Sequence, residues 1–343
     1  MSTISRDNLK DILNRIKGKR VLVLGDLMLD HYVETRVKRL SREHLIPVHK
    51  IIKERYFAGG AANLAVNIAS LGGKAYLVGV VGNDNEGHIL RDILIRNGID
   101  ARLATAERPT PLKSRYHTAG TIYFRVDREV ADDLDASITH RLISMIEDIL
   151  NNNNIIDCIC VSDYDKGSVT PLLLNSVVES ARNKGIIVIG QPRIRHYLDF
   201  IGFDYIKSTL VEATTSTGIS IMNDSSLHNL GIHLLSRLNC KALVLSSSSR
   251  GLTIFKANNM INVPFFAPRE YMSAIGIRDA SLALFALALA SGADVVEASV
   301  LSNLITSDTT IKPETMVVSI NDIEKVLYRK DIVESISQIP LYK

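Results

Sequence analysis

The sequence predicts an α/β fold: a mainly parallel central sheet covered by helices on both faces, with a small β-sheet standing off it as a lid. Three observations predict it. Short apolar runs of strand composition alternate with helical stretches along most of the chain, the pattern of a parallel sheet buried on both sides. Residues 31–57 and 111–128 instead alternate polar and apolar positions without helical period, as in HYVETRV and TIYFRVD, which suits strands with one wet face. Residues 281–290 contain only Ala, Leu, Phe and an opening Ser, a composition for a helix buried on most sides. With 343 residues, 46% of them hydrophobic, residues 1–343 can fold as a single large domain whose lid is formed by 31–57 and 111–128.

Taken in order, Leu9, Ile12, Leu13 and Ile16 mark one face of an N-terminal amphipathic helix. Residues 20–24, RVLVL, read as a buried strand that ends in Gly25 and Asp26, with Asp30 just beyond. Acids at the carboxyl end of a strand are well placed for ligand binding in an open α/β sheet. Residues 58–73, AGGAANLAVNIASLGG, give a glycine turn and then a small-residue helix closed by Gly72 and Gly73. Residues 75–81 form a strand, 86–96 a helix, and Asn97-Gly98 a turn. Residues 112–127 are expected to be a hairpin turning near Ala119-Gly120, with Lys113, Arg115 and Arg125 on its strands. The alternation then resumes with a helix to Leu150, a strand at 155–161, a helix at 171–183 and a strand at 186–189. A strand at 241–245, the loop SSSSRG and a strand at 252–255 follow.

Lys plus Arg number 40 against 37 Asp plus Glu, and a net charge of +3 is too small to suggest a nucleic-acid partner. No apolar run approaches the roughly 20 residues of a membrane helix. The charged, amphipathic N-terminus does not resemble a secretion signal. Three cysteines, an odd number, fit a reducing cytoplasm. Cys158 and Cys160 are expected on opposite faces of one strand, as buried thiols that do not share a metal.

Chemistry is expected at the start of the apolar helix. Gly276 and Asp279 precede or open it, where unpaired N–H groups and the positive end of the helix dipole can hold a phosphate. Asp279 can accept a proton from an attacking hydroxyl, or it can serve only as an ordinary N-terminal cap.

The blocks GDLMLD at 25–30, AGGAANLAVNIASLGG at 58–73, SDYDKG at 162–167 and the helix at Asp279 together resemble the ribokinase-type (pfkB) carbohydrate kinase family. Within it the likeness is strongest to the bacterial heptose 7-phosphate kinases of the ADP-heptose pathway, often the kinase half of a bifunctional protein. It extends to Ser41, Glu43, Pro47 and Val48 in the lid and to TPLKSR at 110–115. No nucleotidyltransferase half is expected after Lys343. The resemblance implies a ribokinase-like fold, ATP and Mg2+ as co-substrate and metal, a sugar phosphate as acceptor, and a homodimer formed through the lid. It further implies that Asp26, Asp30, Gly59, Gly60 and Asn63 bind sugar hydroxyls and that Lys113 and Arg115 hold the substrate's phosphate. Short acids accept hydrogen bonds from hydroxyls, and cations pair with phosphate. On the nucleotide side it implies Ser246, Gly251 and Asn303, with Glu212 placing magnesium through water.

This side departs from the family pattern. Relatives carry D-x-x-G-A-G-D, whereas residues 273–279 read SAIGIRD, so Arg278 replaces a glycine. Its side chain would either block the approach of the phosphoryl group or supply charge to it. The family's Asn-x-x-Glu is Thr209-Leu210-Val211-Glu212, and its Asp-Pro-Lys is Gln191-Pro192-Arg193, losses that should weaken magnesium binding. After Asn303 the small Gly-rich wall becomes SDTTIKPETM, whose bulk would narrow the purine slot. Three readings follow: an active kinase, a pseudokinase that keeps the sugar-phosphate pocket, or an enzyme whose phosphoryl donor is not ATP.

Overall fold

The computed structural model describes residues 4–152, 156–248, 250–266, 275–307, 314–336 and 339. Helix α1 (Arg6–Arg15), capped by Ser5, leads into strand β1 (Arg20–Gly25). Two long strands, β2 (Leu27–Leu40) and β3 (Pro47–Gly60), follow, then α2 (Ala61–Ser70), β4 (Lys74–Gly82), α3 (Asn85–Arg96) and β5 (Asp100–Ala106). The predicted hairpin is β6 (Leu112–Thr118) and β7 (Thr121–Arg128), turning at Ala119 and Gly120. Next come α4 (Ala136–Asn151), β8 (Cys158–Ser162), α5 (Pro171–Lys184), β9 (Ile187–Gln191), β10 (Tyr205–Thr209), α6 (Leu210–Thr217) and α7 (Asp224–Leu238). The chain continues through β11 (Ala242–Ser247), β12 (Gly251–Lys256), β13 (Asn259–Val263), α8 (Ile277–Ala290), α9 (Val295–Leu304), α10 (Ile320–Leu327) and α11 (Lys330–Ile336).

Among the described residues nine strands form the main sheet, in the order β13-β12-β11-β10-β9-β8-β1-β4-β5. From β11 to β5 all pairs are parallel, while β12 and β13 fold back antiparallel at one edge. The chain runs outward from β1 through β4 and β5, then restarts on the other side of β1 at β8. The order therefore reverses between β1 and β8, and in open α/β sheets ligands bind at such a point, beyond the carboxyl ends of the strands. The lid is a four-stranded sheet, β3-β2-β6-β7. It begins at Leu27, four residues earlier than the alternation suggested, because the LMLD of GDLMLD is itself strand.

Two cores flank the main sheet. Val21 and Val23 face α2, α8 and α9, whereas Leu22 and Leu24 face α4, α5 and α7, as the two-residue period of a strand requires. Helix α8 is buried all round, as its composition implies. Leu282, Leu284, Phe285 and Leu287 have no exposed surface, and each stabilises the fold by about 2 kcal/mol. Cys158 and Cys160 are both buried in the same core. This corrects the expectation of opposite faces, since positions two apart on a strand return to one face. Cys240 is half-buried. Among the described residues no helix is long and apolar enough to cross a membrane.

Candidate active site

Gly276 ends the approach to α8 with φ of 83°, a left-handed conformation that glycine adopts without strain. A β-carbon there would sit 2.7 Å from the side-chain nitrogen of Asn63. This turn delivers Asp279 into the first turn of α8, where the helix dipole favours negative charge. Asn63 of α2 donates to Asp279 Oδ2 at 2.8 Å, and the Tyr164 hydroxyl donates to Oδ1. Burial pushes the Asp279 carboxyl up to about 6, with Tyr164, Asn63 and Arg278 opposing the shift. The residue is held by side chains rather than spent on capping its helix, for no side-chain cap is present at Gly276.

Asp279 lines a cavity of about 400 Å³ between the lid and the strand ends, together with Asp30, Gly60, Lys113, Arg115 and Tyr164. Every predicted charge there has a partner. Arg115 donates to Asp30 at 2.6 Å, and Thr315 donates to the other Asp30 oxygen at 2.8 Å. Lys113 bridges Asp127 and Glu129 at 2.9 and 2.8 Å, and Lys166 also reaches Glu129 at 2.7 Å. A phosphate bound by Lys113 would therefore displace carboxylates, not water alone. Gly59 packs against Met28 and the Asp30 carboxylate.

Two predicted sugar contacts are corrected. Asp26 is fully buried and accepts backbone N–H bonds from Tyr164, Lys166 and Ser168 at 2.8 to 3.0 Å. It shapes the 162–167 loop and presents nothing to the cavity. Its neighbour Asp163 is pushed up to about 7 by burial and by the charge of Asp26. Asn63 is not among the residues lining the cavity, and its amide is shared between Asp279 and Asn67, which fixes the orientation of the acid.

A second cavity, of about 380 Å³, lies between β10, β11 and α8 and is lined by Lys207, Thr209, Ser246, Arg278, Ser281 and Asn303, among others. Ser246 donates to the Ser208 carbonyl, and Asn303 to that of Pro264. Gly251 does not line this cavity; a β-carbon on it would meet the Val263 carbonyl oxygen at 2.2 Å, so the β12–β13 hairpin accounts for it. Ser249, Ser273, Ala274 and residues 308–313 of SDTTIKPETM lie outside the described residues.

Arg278 is committed to Glu212, donating to both carboxylate oxygens at 2.9 and 3.2 Å. Arg193, also stacked over the Tyr164 ring, donates to the same carboxylate at 2.8 Å. Glu212 further accepts from the Thr209 amide and hydroxyl in a capping box, each at 2.8 Å. Burial pushes the Glu212 carboxyl up, but Arg278, Thr209 and Arg193 together hold it below its ordinary value. A carboxylate offers about four acceptor positions, and five donors already converge on this one. The magnesium implied by the resemblance therefore does not fit Glu212, directly or through water.

Tyr164, Lys166, Arg193, Lys207 and Thr315 were not among the predicted site residues. Tyr164 and Lys166 stand inside SDYDKG, so the motif carried the signal. Lys207 is a single cation within an otherwise strand-like segment, YIKST, and that interruption was the available clue.

The pattern described as pfkB family carbohydrate kinase matches residues 19–315. The bifunctional protein HldE of Geobacter metallireducens is 32% identical over 304 residues, covering 88% of this chain and 61% of that protein. HldE of Syntrophotalea carbinolica is 34% identical with the same coverage. The chain thus spans about three fifths of the length of these curated relatives. Among solved structures, phosphofructokinase-2 from Escherichia coli in complex with potassium superposes with a TM-score of 0.74 at 17% identity, covering 91% of this chain and 98% of that one. Arabidopsis thaliana ribokinase complexed with ribose and ATP superposes at 0.66 and 17% identity, over 92% of this chain and 100% of that one. These likenesses show a ribokinase-like α/β fold.

Proposed function

Because the chain belongs to the pfkB family of carbohydrate kinases, we propose that it transfers a phosphoryl group from ATP to a hydroxyl of a sugar phosphate, with heptose 7-phosphate as the acceptor. The observation that carries this reading is the placement of two consecutive residues. Asp279 faces the cavity beneath the lid, and Arg278 lines the cavity between β10 and α8. Donor and acceptor would meet across the first turn of α8, where backbone N–H groups favour the transferring charge. Asp279 would take the proton of the attacking hydroxyl, and a carboxyl lifted to about 6 is still mostly ionised at neutral pH while being a stronger base than an ordinary aspartate. In this chemistry most of the acceleration comes from positioning and electrostatics.

Thermal denaturation with ATP, with heptose 7-phosphate and with both tests the reading, since a ligand that binds only the folded state raises the midpoint. Stabilisation by both ligands supports the kinase. A second reading, a pseudokinase that binds sugar phosphate and acts as a scaffold, is favoured by the commitment of Glu212 to Arg278 and Arg193. Stabilisation by the sugar phosphate alone would select it.

For the acceptor's phosphate, Lys113 is the proposed ligand because it stands in the cavity wall with its stem largely buried. Lys113→Ala is expected to weaken heptose 7-phosphate binding about tenfold, the value of one charge-assisted hydrogen bond, with no loss of folded structure. Unchanged affinity by calorimetry would remove Lys113 from the site.

The lid is the proposed dimer surface. Leu45, Ile46, Ile51, Tyr123 and Phe124 are all exposed there, and a concentrated apolar surface of this kind marks an interaction site. Sedimentation at micromolar concentration is expected to give a dimer, and a strict monomer would sink the idea.

A further inference from the structure

We propose that the cavity between β10, β11 and α8 holds the phosphate chain of its donor on fixed protein cations, Lys207 and Arg278, without a divalent metal. The inference rests on the reading that this cavity receives the nucleotide, and three observations support it.

The first is the charge of the lining. Among the described residues that line it, Lys207 and Arg278 are the charged side chains and none is a carboxylate. Magnesium takes oxygen ligands and is usually tethered by one or two carboxylates besides the phosphates. The nearby acid, Glu212, faces two guanidinium groups and a capping box, so a metal approaching it would meet Arg278 first.

The second is Lys207 itself. It rises from a central strand with 6% of its surface exposed, and its ammonium donates to the Ser281 hydroxyl at 2.9 Å. No ion pair holds it among the described residues, although an ammonium carries three donors. Burial, reinforced by the charge of Arg278, pulls its pKa down to about 7. A buried amine without a counter-charge is destabilising, and the arrangement makes chemical sense when an anion completes it.

The third is the surrounding chemistry. The Thr209, Ser246 and Ser281 side chains stand around the same space, but their hydroxyl protons are given to Glu212, the Ser208 carbonyl and the Ser302 carbonyl, so phosphate oxygens there would turn to the N–H groups of Lys207 and Arg278. Two cations on this wall neutralise phosphate oxygens in place, the task a metal performs elsewhere. Lys207 acts as a compact charge, while Arg278 is fixed in orientation by Glu212.

The test is calorimetric titration of the full chain with ATP and, separately, with inorganic tripolyphosphate, in excess magnesium and in excess EDTA. Affinity for ATP in EDTA is expected within about threefold of that in magnesium, and Lys207→Met is expected to weaken both ligands at least about tenfold, as loss of a charge-assisted contact does. Heptose 7-phosphate binding by the same variant, unchanged, serves as the control for folding. Loss of ATP binding on adding EDTA would overturn the inference and leave the donor reading standing. Wild-type affinity in Lys207→Met would also overturn it, showing the lysine to be structural. If heptose 7-phosphate binds but neither ATP nor tripolyphosphate does under either condition, the donor reading itself falls, and the inference with it.

Discussion

Replacing Asp279 by Asn is expected to lower kcat for phosphoryl transfer by at least about a hundredfold while heptose 7-phosphate still binds. The carboxylate lies on the cavity wall with one oxygen toward Tyr164 and the other toward Asn63. Asn keeps the shape but cannot take up a proton, so loss of turnover without loss of binding isolates the base. The pH dependence has a definite sign. Burial raises the Asp279 carboxyl to about 6, so below that pH the base becomes protonated and kcat falls about tenfold per pH unit. A variant that keeps wild-type kcat, or a rate that stays flat from pH 7 to 5, would remove Asp279 from proton transfer.

Glu212→Gln is expected to destabilise the fold by about 3 kcal/mol, because it leaves two guanidinium groups facing a neutral amide in a mostly buried place. The Glu212 side chain is 4% exposed, and those of Arg193 and Arg278 are 32% and 29% exposed. That partial access to water keeps the expected effect at the lower end of the range for buried pairs. The carboxyl is held below its ordinary value, so its stabilisation is complete above the unfolded-state pKa and is lost as pH falls through the lowered one. Denaturant unfolding measures the change. A loss below about 1 kcal/mol would class the bridge with exposed surface pairs.

Local features of the fold were legible in the sequence because they depend on neighbours. The all-apolar run at 281–290 became the core of α8, Pro171 marked the first turn of α5, and Gly120 closed the β6–β7 turn. Strand β10 escaped notice because Lys207 interrupts its apolar pattern, and β13 because only Ala257 and Asn258 separate it from β12. At the site, Asp279 and Asp30 were legible as acids beside a helix start and a strand end. Asp26 was indistinguishable from Asp30 by type and position; only the folded 162–167 loop shows that its oxygens are taken by backbone N–H groups. The Arg193–Glu212–Arg278 bridge joins residues 19 and 66 positions apart. No periodicity links such residues, so Arg193, Glu212 and Arg278 read as separate positions rather than as one cluster.

Strand β2 carries Asp30 near its buried beginning and ends at Leu40 among exposed residues, a span of about 45 Å at the usual rise per residue. The same piece of backbone therefore belongs to the cavity proposed for the acceptor at one end and to the proposed pairing surface at the other. The pairing of β2 with β3 shifts register between Glu34 and Thr35 and again between Val37 and Arg39, so coupling between the two ends has to pass through those irregularities. Self-association and acceptor occupancy then become linked equilibria, and linkage is reciprocal: whatever factor the sugar phosphate adds to pairing, pairing adds to sugar-phosphate affinity. On that account dilution weakens acceptor binding with no change in any residue that touches the sugar.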